Sequence, residues 1–383
     1  MDYWWWLGRS AEIVGILTFV STSVGFLVQR LTLKRIEAQN ELGGAAIKKL
    51  ERIRRISDGK DESIWSRTLG QAKLDYHRAM DKSIPIIMVA NLKGGVGKTT
   101  IAANLAAYFA SPPDAGTPAE RVLVIDMDYQ GSLTALMDGQ SGLSDAKILD
   151  LEHLKAEHLL SGQKDGLWLR DARSINNTDL TRLHYIGTDS NLADSENRLL
   201  VKWLLDESDG DIRLNLANVL LSSEVQKHFD RIIIDTAPRM TLGFVAAACC
   251  STHVLVPTVM NQGSARSVKD SLSQLDFLRR RIATHMDLIG IVASKTKHGQ
   301  GDDWIPAEQM AVDDLKSDLR RLYKRDDLIL EGCKIRDTAQ IRDAAGYRLA
   351  YLEASDGKAA TDARPMFAAL GAEVRRRAPG RKP

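Results

Sequence analysis

The chain has 383 residues, 44% hydrophobic and 27% charged, which is an ordinary globular composition with room for one large α/β domain and extensions. A net charge of +2 excludes a chain-wide basic field directed at nucleic acid, so any such surface has to be local. Three cysteines, Cys249, Cys250 and Cys333, without a C-x-x-C spacing exclude a disulfide framework and a cysteine-built metal site, and read as small buried hydrophobes.

The N-terminus stands apart. Trp4, Trp5 and Trp6 precede an uncharged run at 13–28, which as a helix spans ~24 Å against the ~30 Å of a hydrocarbon core. Residues 7–12 extend it to full length and put Arg9 and Glu12 near the interface, where tryptophans are also favoured. Basic residues follow, among them Arg30, Lys34, Arg35, Lys48, Lys49, Arg52, Arg54 and Arg55, and the positive-inside rule places everything after Val28 in the cytoplasm. Residues 1–29 are thus expected to be a single-pass membrane segment, with a buried or interfacial helix of a soluble protein as the alternative. Residues 30–82 read as a charged helical connector. Its stripe of Ile47, Leu50 and Ile53 suits a lipid surface or a short coiled coil, and equally a solvated helix.

From Ile84 the pattern becomes strand and helix in alternation. Apolar runs at 84–90, 121–126, 183–187, 231–235, 252–257 and 288–293 read as strands, with helices at 101–110, 191–206 and 212–228. Strands that do not alternate, separated by helices, predict a mostly parallel sheet covered on both faces. Residues 83–376 are expected to form this α/β domain, and 377–383 a basic tail.

The chemistry concentrates at the carboxyl ends of these strands. After the first comes Lys93-Gly-Gly-Val-Gly-Lys-Thr-Thr100, a glycine-rich turn opening a helix. Its backbone N–H groups can converge on an anion, Lys98 adds a positive charge and the Thr99 hydroxyl suits a magnesium ion. The usual G-x-x-x-x-G-K-[ST] pattern is broken, because Leu92 stands where the first glycine belongs and an extra lysine, Lys93, precedes Gly94 and Gly95. Asp126 ends the second strand, with Asp128 two residues on, and Asp235 ends the fourth. In an open parallel sheet such carboxylates face the ligand crevice, where they can hold Mg²⁺ or orient a water.

Together the loop, Asp126-Met-Asp-Tyr-Gln-Gly131 and Ile232-Ile-Ile-Asp-Thr-Ala-Pro238 resemble the deviant Walker A, switch I and switch II motifs of the ParA/MinD family of P-loop ATPases, over roughly 84–376. The resemblance implies a P-loop NTPase fold and a Mg²⁺-dependent ATPase. The cradle is Gly94, Gly95, Val96, Gly97 and Thr100. Lys98 binds the β- and γ-phosphates, Thr99 coordinates Mg²⁺, and Asp126 and Asp235 support the metal and sense the γ-phosphate. Asp128 positions the attacking water, and Lys93 resembles the signature lysine that reaches the partner's ATP in a nucleotide-sandwich dimer. Slow hydrolysis follows, because catalysis by positioning and charge is completed only on dimerisation.

With the N-terminal segment, the expectation is an ATPase held at a bacterial inner membrane. It cycles between an ATP-bound homodimer and a monomer and recruits or positions an unidentified protein partner. An ATPase component of an anti-phage or stress-response system is the alternative. A bacterial tyrosine-kinase-like protein ranks lower, since no tyrosine cluster stands near Arg375–Pro383, and an iron–sulfur reductase lacks its paired cysteines. Nonspecific DNA binding, a property of the family's partition ATPases, has candidates in Arg320, Arg321, Lys324, Arg325 and the tail arginines, but interleaved acids leave no clean basic patch. Tyr129 stands where the family commonly has proline, and Ala237 replaces the first proline of a frequent Asp-Thr-Pro-Pro.

Overall fold

The computed structural model describes residues 75–380 except 113–115, 141–153, 163–172, 175–179, 206–209, 298–302, 326, 345, 347 and 354–361, together with 47, 50, 51, 54, 64–67, 69 and 70. Two units are distinguished, Met1–Arg67 and Thr68–Pro383. In the first, Ile64–Ser66 is a 3-10 turn. The apolar run 13–28 expected to span a membrane, and most of the connector, lie outside the described residues. Among the described residues no helix is long and apolar enough to cross a membrane.

The second unit opens with helix α1 (Tyr76–Asp81) and strand β1 (Ile86–Val89), followed by α2 (Lys98–Ala110), β2 (Val122–Met127), α3 (Ser132–Gln140) and α4 (Ala156–Ser161). Then come β3 (Arg173–Ser174), β4 (Leu183–Ile186), α5 (Asn191–Leu204), α6 (Asn215–Leu220), α7 (Ser223–His228) and β5 (Arg231–Thr236). The chain continues through α8 (Leu242–Cys250), β6 (His253–Val259), α9 (Gln262–Arg281), β7 (Asp287–Thr296) and α10 (Pro306–Tyr323), and ends with β8 (Ile335–Arg336), α11 (Ala339–Ala344) and α12 (Ala363–Arg377). The strands form one sheet in the order β3-β4-β2-β5-β1-β6-β7-β8. Every neighbouring pair is parallel except β3 with β4.

All of β1, β2 and β5 is buried, which is why these strands read as unbroken apolar runs. Ile87, Val89, Val124, Ile233 and Leu255 share a core with α2 and α12. By the two-residue period their neighbours Met88, Ile125, Ile232 and Ile234 turn to the opposite face. There lies α8, all nine of whose residues are buried. Thr241 caps its start, with Oγ1 accepting from the Phe244 N–H at 3.2 Å, and at its end the Cys249 carbonyl accepts a hydrogen bond from the Tyr76 hydroxyl of α1.

The last helix is fastened to the first layer. A Cβ on Gly371 of α12 would lie 2.1 Å from the Tyr108 ring, so glycine is what lets α12 approach α2 this closely. Beneath it Arg231 is fully buried: its guanidinium donates to Glu120 at 2.6 Å and to the Ala378 carbonyl at 3.0 Å, and lies 4.0 Å from the Phe109 ring centroid. Arg375 of α12 joins the same carboxylate at 3.0 Å.

The six predicted strands are present as β1, β2, β4, β5, β6 and β7, and the helix at 191–206 is α5. The single helix expected over 212–228 is instead a 3-10 turn, Ile212–Leu214, followed by α6 and α7. Ser222 is extended, with ψ 147°, and breaks the run. Gln226 turns back across the break, donating to the Leu220 carbonyl at 2.8 Å and accepting from the Ile84 N–H at 2.8 Å. Strands β3 and β8, of two residues each, are too short to leave a periodic signature.

Candidate active site

The glycine loop joins β1, at the sheet centre, to α2. Gly95 and Gly97 have φ of 73° and 80°, left-handed values that a side chain resists, and Gly97 caps α2. A Cβ on Gly94 or Gly95 would meet nothing within 4 Å, so their open face can admit a phosphate. Lys98 is 7% exposed and its Nζ donates to the Lys93 carbonyl at 3.4 Å, so the loop curls round its own lysine. Burial holds this ammonium below its ordinary pKa, while Asp235 and Asp128 draw it back up.

Three buried polar residues to which the sequence assigned nothing hold the loop in shape. Asn91 donates to the Pro257 carbonyl at 2.7 Å, and its Oδ1 accepts from the Lys93 N–H at 2.9 Å and the Ser271 hydroxyl at 2.8 Å. Ser271 accepts in turn from the Leu92 N–H at 3.2 Å. At the far end Ser294 of β7 donates to the Val96 carbonyl at 2.7 Å. Asn91 adjoins the loop, but Ser271 and Ser294 lie far along the chain and no local signal links them to it.

Opposite stand the carboxylates. Asp126 and Asp235 are register partners on β2 and β5. Asp126 is completely enclosed: it accepts from the Asp128 N–H at 3.0 Å, the Thr134 N–H at 2.9 Å and the Thr134 hydroxyl at 2.7 Å. In this arrangement it fixes the turn that carries Asp128. Asp128 is half-buried, accepts from the Gln130 N–H at 3.1 Å and lines the cleft. Thr99 donates its hydroxyl to Asp235 at 2.7 Å, while the other Asp235 oxygen, Oδ1, is buried and has no protein partner. Burial pushes Asp235 up to about 8, with repulsion from Asp126 adding to it against the Thr99 bond and Lys98. Asp126 rises to about 6, again mainly from burial, opposed by its Thr134 bonds. An orphaned carboxylate oxygen beside a hydroxyl is an oxygen donor set that fits a hydrated Mg²⁺, while the Lys98 ammonium suits the phosphates such an ion accompanies.

The cleft between the two sides holds about 530 Å³ and is lined by Gly94–Thr100, Asp128, Pro238 and Lys295 among others. An adjoining cavity of about 260 Å³ shares Gly97, Thr100, Lys295 and Ile341 and adds Arg336 and Asp337. Lys295, Arg336 and Ile341 carry no site motif in the sequence, although they lie within the 84–376 stretch of the resemblance. Gly94 to Thr100, Asp126, Asp128 and Asp235 are therefore brought together. Lys93 contributes its backbone to the loop, and the cleft lining starts one residue later.

A family model described as an AAA domain (AAA_31) matches residues 84–288, more than half of the chain and all of the loop and acidic strand ends. The chain belongs to the AAA_31 AAA-domain family. It is similar to protein IncC of Escherichia coli, at 28% identity over 216 residues, 56% of this chain and 52% of IncC. Sporulation initiation inhibitor protein Soj of Bacillus subtilis is 26% identical over 209 residues, 54% of this chain and 71% of Soj. Chromosome partitioning protein ParA of Myxococcus xanthus is 27% identical over 210 residues, 54% of this chain and 63% of that protein. The chain thus spans only about half of the length of IncC and somewhat more of the other two. Among solved structures, apo McdA of Cyanothece superposes with a TM-score of 0.58 at 20% identity, covering 76% of this chain and 99% of McdA. Cobyrinic acid a,c-diamide synthase of Mycobacterium smegmatis, with bound ATP analog and magnesium, gives 0.50 at 21% identity, covering 69% and 91%. These likenesses establish an α/β P-loop fold of the ParA-like type.

Among the described residues, most of the arginines considered for DNA pair with neighbouring acids. Arg321 pairs with Asp318 at 3.2 Å, Arg325 with Asp327 at 2.7 Å, Arg376 and Arg377 with Glu373 at 2.7 and 2.6 Å, and Arg377 also with Asp327 at 3.2 Å.

Proposed function

We propose that this AAA_31 member is a Mg²⁺-dependent ATPase that works as an ATP-dependent dimer switch, positioning or recruiting a partner, with residues 1–29 holding it at a bacterial inner membrane. The observation that carries the ATPase part is the pairing of the glycine cradle and buried Lys98 with Thr99–Asp235 and its orphaned oxygen. The loop N–H groups and Lys98 hold the triphosphate, and Thr99 and Asp235 are the side chains that would hold Mg²⁺. When bound, that ion neutralises charge on the phosphate oxygens. Asp128, fixed by the Asp126 bond to its N–H, orients the attacking water, which is catalysis by positioning. The cavity beside Lys295 and Arg336 takes the nucleoside end. The dimer reading rests on Lys93, whose place ahead of the glycines resembles the family's signature lysine. The positioning role is supported by the names of ParA and Soj, and the membrane role by the apolar run and its basic flank. DNA is the weaker partner reading, because most of the described candidate arginines already pair with acids.

The deciding experiment measures binding of a fluorescent ATP analogue and phosphate release by the full chain. Lys98→Ala should lose nucleotide binding, and ordinary affinity in that variant sinks the assignment. Lys93→Ala should keep binding and lose both ATP-dependent dimerisation on size exclusion and most turnover; unchanged dimers with unchanged turnover refute the trans role. Membrane fractionation of the full chain against a form lacking 1–29 tests the anchor, which fails if the full chain is already in the soluble fraction.

A further inference from the structure

The two acidic loops leave the sheet side by side, since Met127 and Thr236 are register partners at the ends of β2 and β5. Below that point each is fastened. Asp126 binds the Asp128 N–H and Thr134, and the Thr236 hydroxyl donates to the Val89 carbonyl at 3.0 Å. Above it the loop tips meet: the Arg239 guanidinium carbon lies 4.5 Å from the centroid of the Tyr129 ring. Tyr129 follows Asp128 directly and is half-buried, while Arg239 follows Pro238, a residue of the cleft wall, and is exposed.

A cation over an aromatic face is attractive even at a partly exposed site, so it can join two loops at the rim of the cleft. Arg239 is near enough to Glu196 of α5 to offset part of the burial that lifts that carboxyl, and Glu196 accepts from the Gly243 N–H at 2.6 Å in the first turn of α8. The second loop is thereby gripped on both sides, by Tyr129 ahead and by α5 behind. Breaking the stack leaves the Asp126 and Thr236 anchors intact, so the fold survives while the turn carrying Asp128 loses its outer support.

We infer that Arg239 and Tyr129 act as one positioning pair for ATP hydrolysis, stacking to hold the Asp128 turn against the 238–240 loop so that Asp128 faces the cleft. This rests on the ATPase reading above. The test is steady-state phosphate release with Mg²⁺ and ATP by the full chain, with affinity for a fluorescent ATP analogue and melting temperature measured alongside. Arg239→Ala should lower kcat about fivefold, the scale of a solvent-facing cation–π contact, with KM, nucleotide affinity and melting temperature little changed. Arg239→Lys should recover part of the loss, and Tyr129→Phe, which keeps the ring face, should lose less than Tyr129→Ala. The double alanine variant should be no slower than the worse single one. A kcat for Arg239→Ala equal to the unaltered protein's overturns the inference, as does a double variant whose loss is the product of the single losses. Failure of the unaltered chain to bind the analogue, or full binding by Lys98→Ala, overturns the ATPase reading and this inference with it. Normal binding and turnover with silent Arg239 variants overturns the inference alone.

Discussion

Asn91→Ala tests how the phosphate loop is kept in shape. The side chain is 1% exposed and makes three hydrogen bonds, two accepted at Oδ1 and one donated to the Pro257 carbonyl. Each is worth about 1 kcal/mol net, and truncation also leaves the Pro257 carbonyl and the Lys93 N–H short of a partner, which brings the cost to roughly 2–4 kcal/mol. Ser271→Ala removes only the bond to Asn91 and the one from the Leu92 N–H, and should cost about half as much. The two changes share a bond, so the double variant should fall short of their sum. Urea unfolding of the nucleotide-free protein measures the stabilities, at unchanged slope if only the folded state is affected. Because a slack loop must be ordered by the nucleotide, ATP affinity should fall too, and about 1.4 kcal/mol of ordering cost appears as a tenfold weaker Kd. An Asn91→Ala variant within about 0.5 kcal/mol of the unaltered protein, the range of ordinary surface substitutions, would refute the argument.

Two further outcomes test the electrostatics. Glu120→Ala strands the fully buried Arg231 and should cost about 3–5 kcal/mol in urea unfolding, whereas Arg231→Met, which removes the buried charge and leaves Glu120 with Arg375, should cost clearly less; the reverse order counts against the clamp. Asp235 has a folded pKa of about 8 against an ordinary 3.8, so between those values the folded, nucleotide-free protein binds more protons than the unfolded chain. Stability contributed by this group is fully present below the lower value and is lost as pH rises through the upper one. Melting temperature should therefore fall between about pH 4 and about pH 8 and level off above, and Asp235→Asn should flatten that slope; parallel slopes for the two proteins would refute it.

The sequence exposes what is local or fully buried. Strands β1, β2 and β5 were legible because both faces are covered, and the loop and its carboxylates were legible because glycine, lysine and aspartate sit at strand ends where a crevice must form. The supports of that loop were not. Asn91 meets Ser271 across 180 positions, and Ser294 meets Val96 across 198, so neither pairing has a pattern to betray it. Nothing local marks Gly371 as the place where the Tyr108 ring packs, or Arg239 as the partner of Tyr129, since the sheet register of β2 and β5 is what brings the latter two together. The break at Ser222 failed for another reason: a helical pattern of burial persisted across it while the backbone turned, with Gln226 satisfying the groups that the turn exposed.

Helix α8 has a mechanical consequence. It is buried on every side and about 14 Å long, so it cannot bend within its packing and behaves as a short rod. One end sits on the loop that follows Asp235, and the other holds the hydroxyl of Tyr76. Through these two bonds the rod ties the start of the loop-to-helix junction to α1, the element that precedes β1. The strand end that carries Asp235 and the helix that leads into β1 are thus joined by one stiff element that lies outside the phosphate-loop helix.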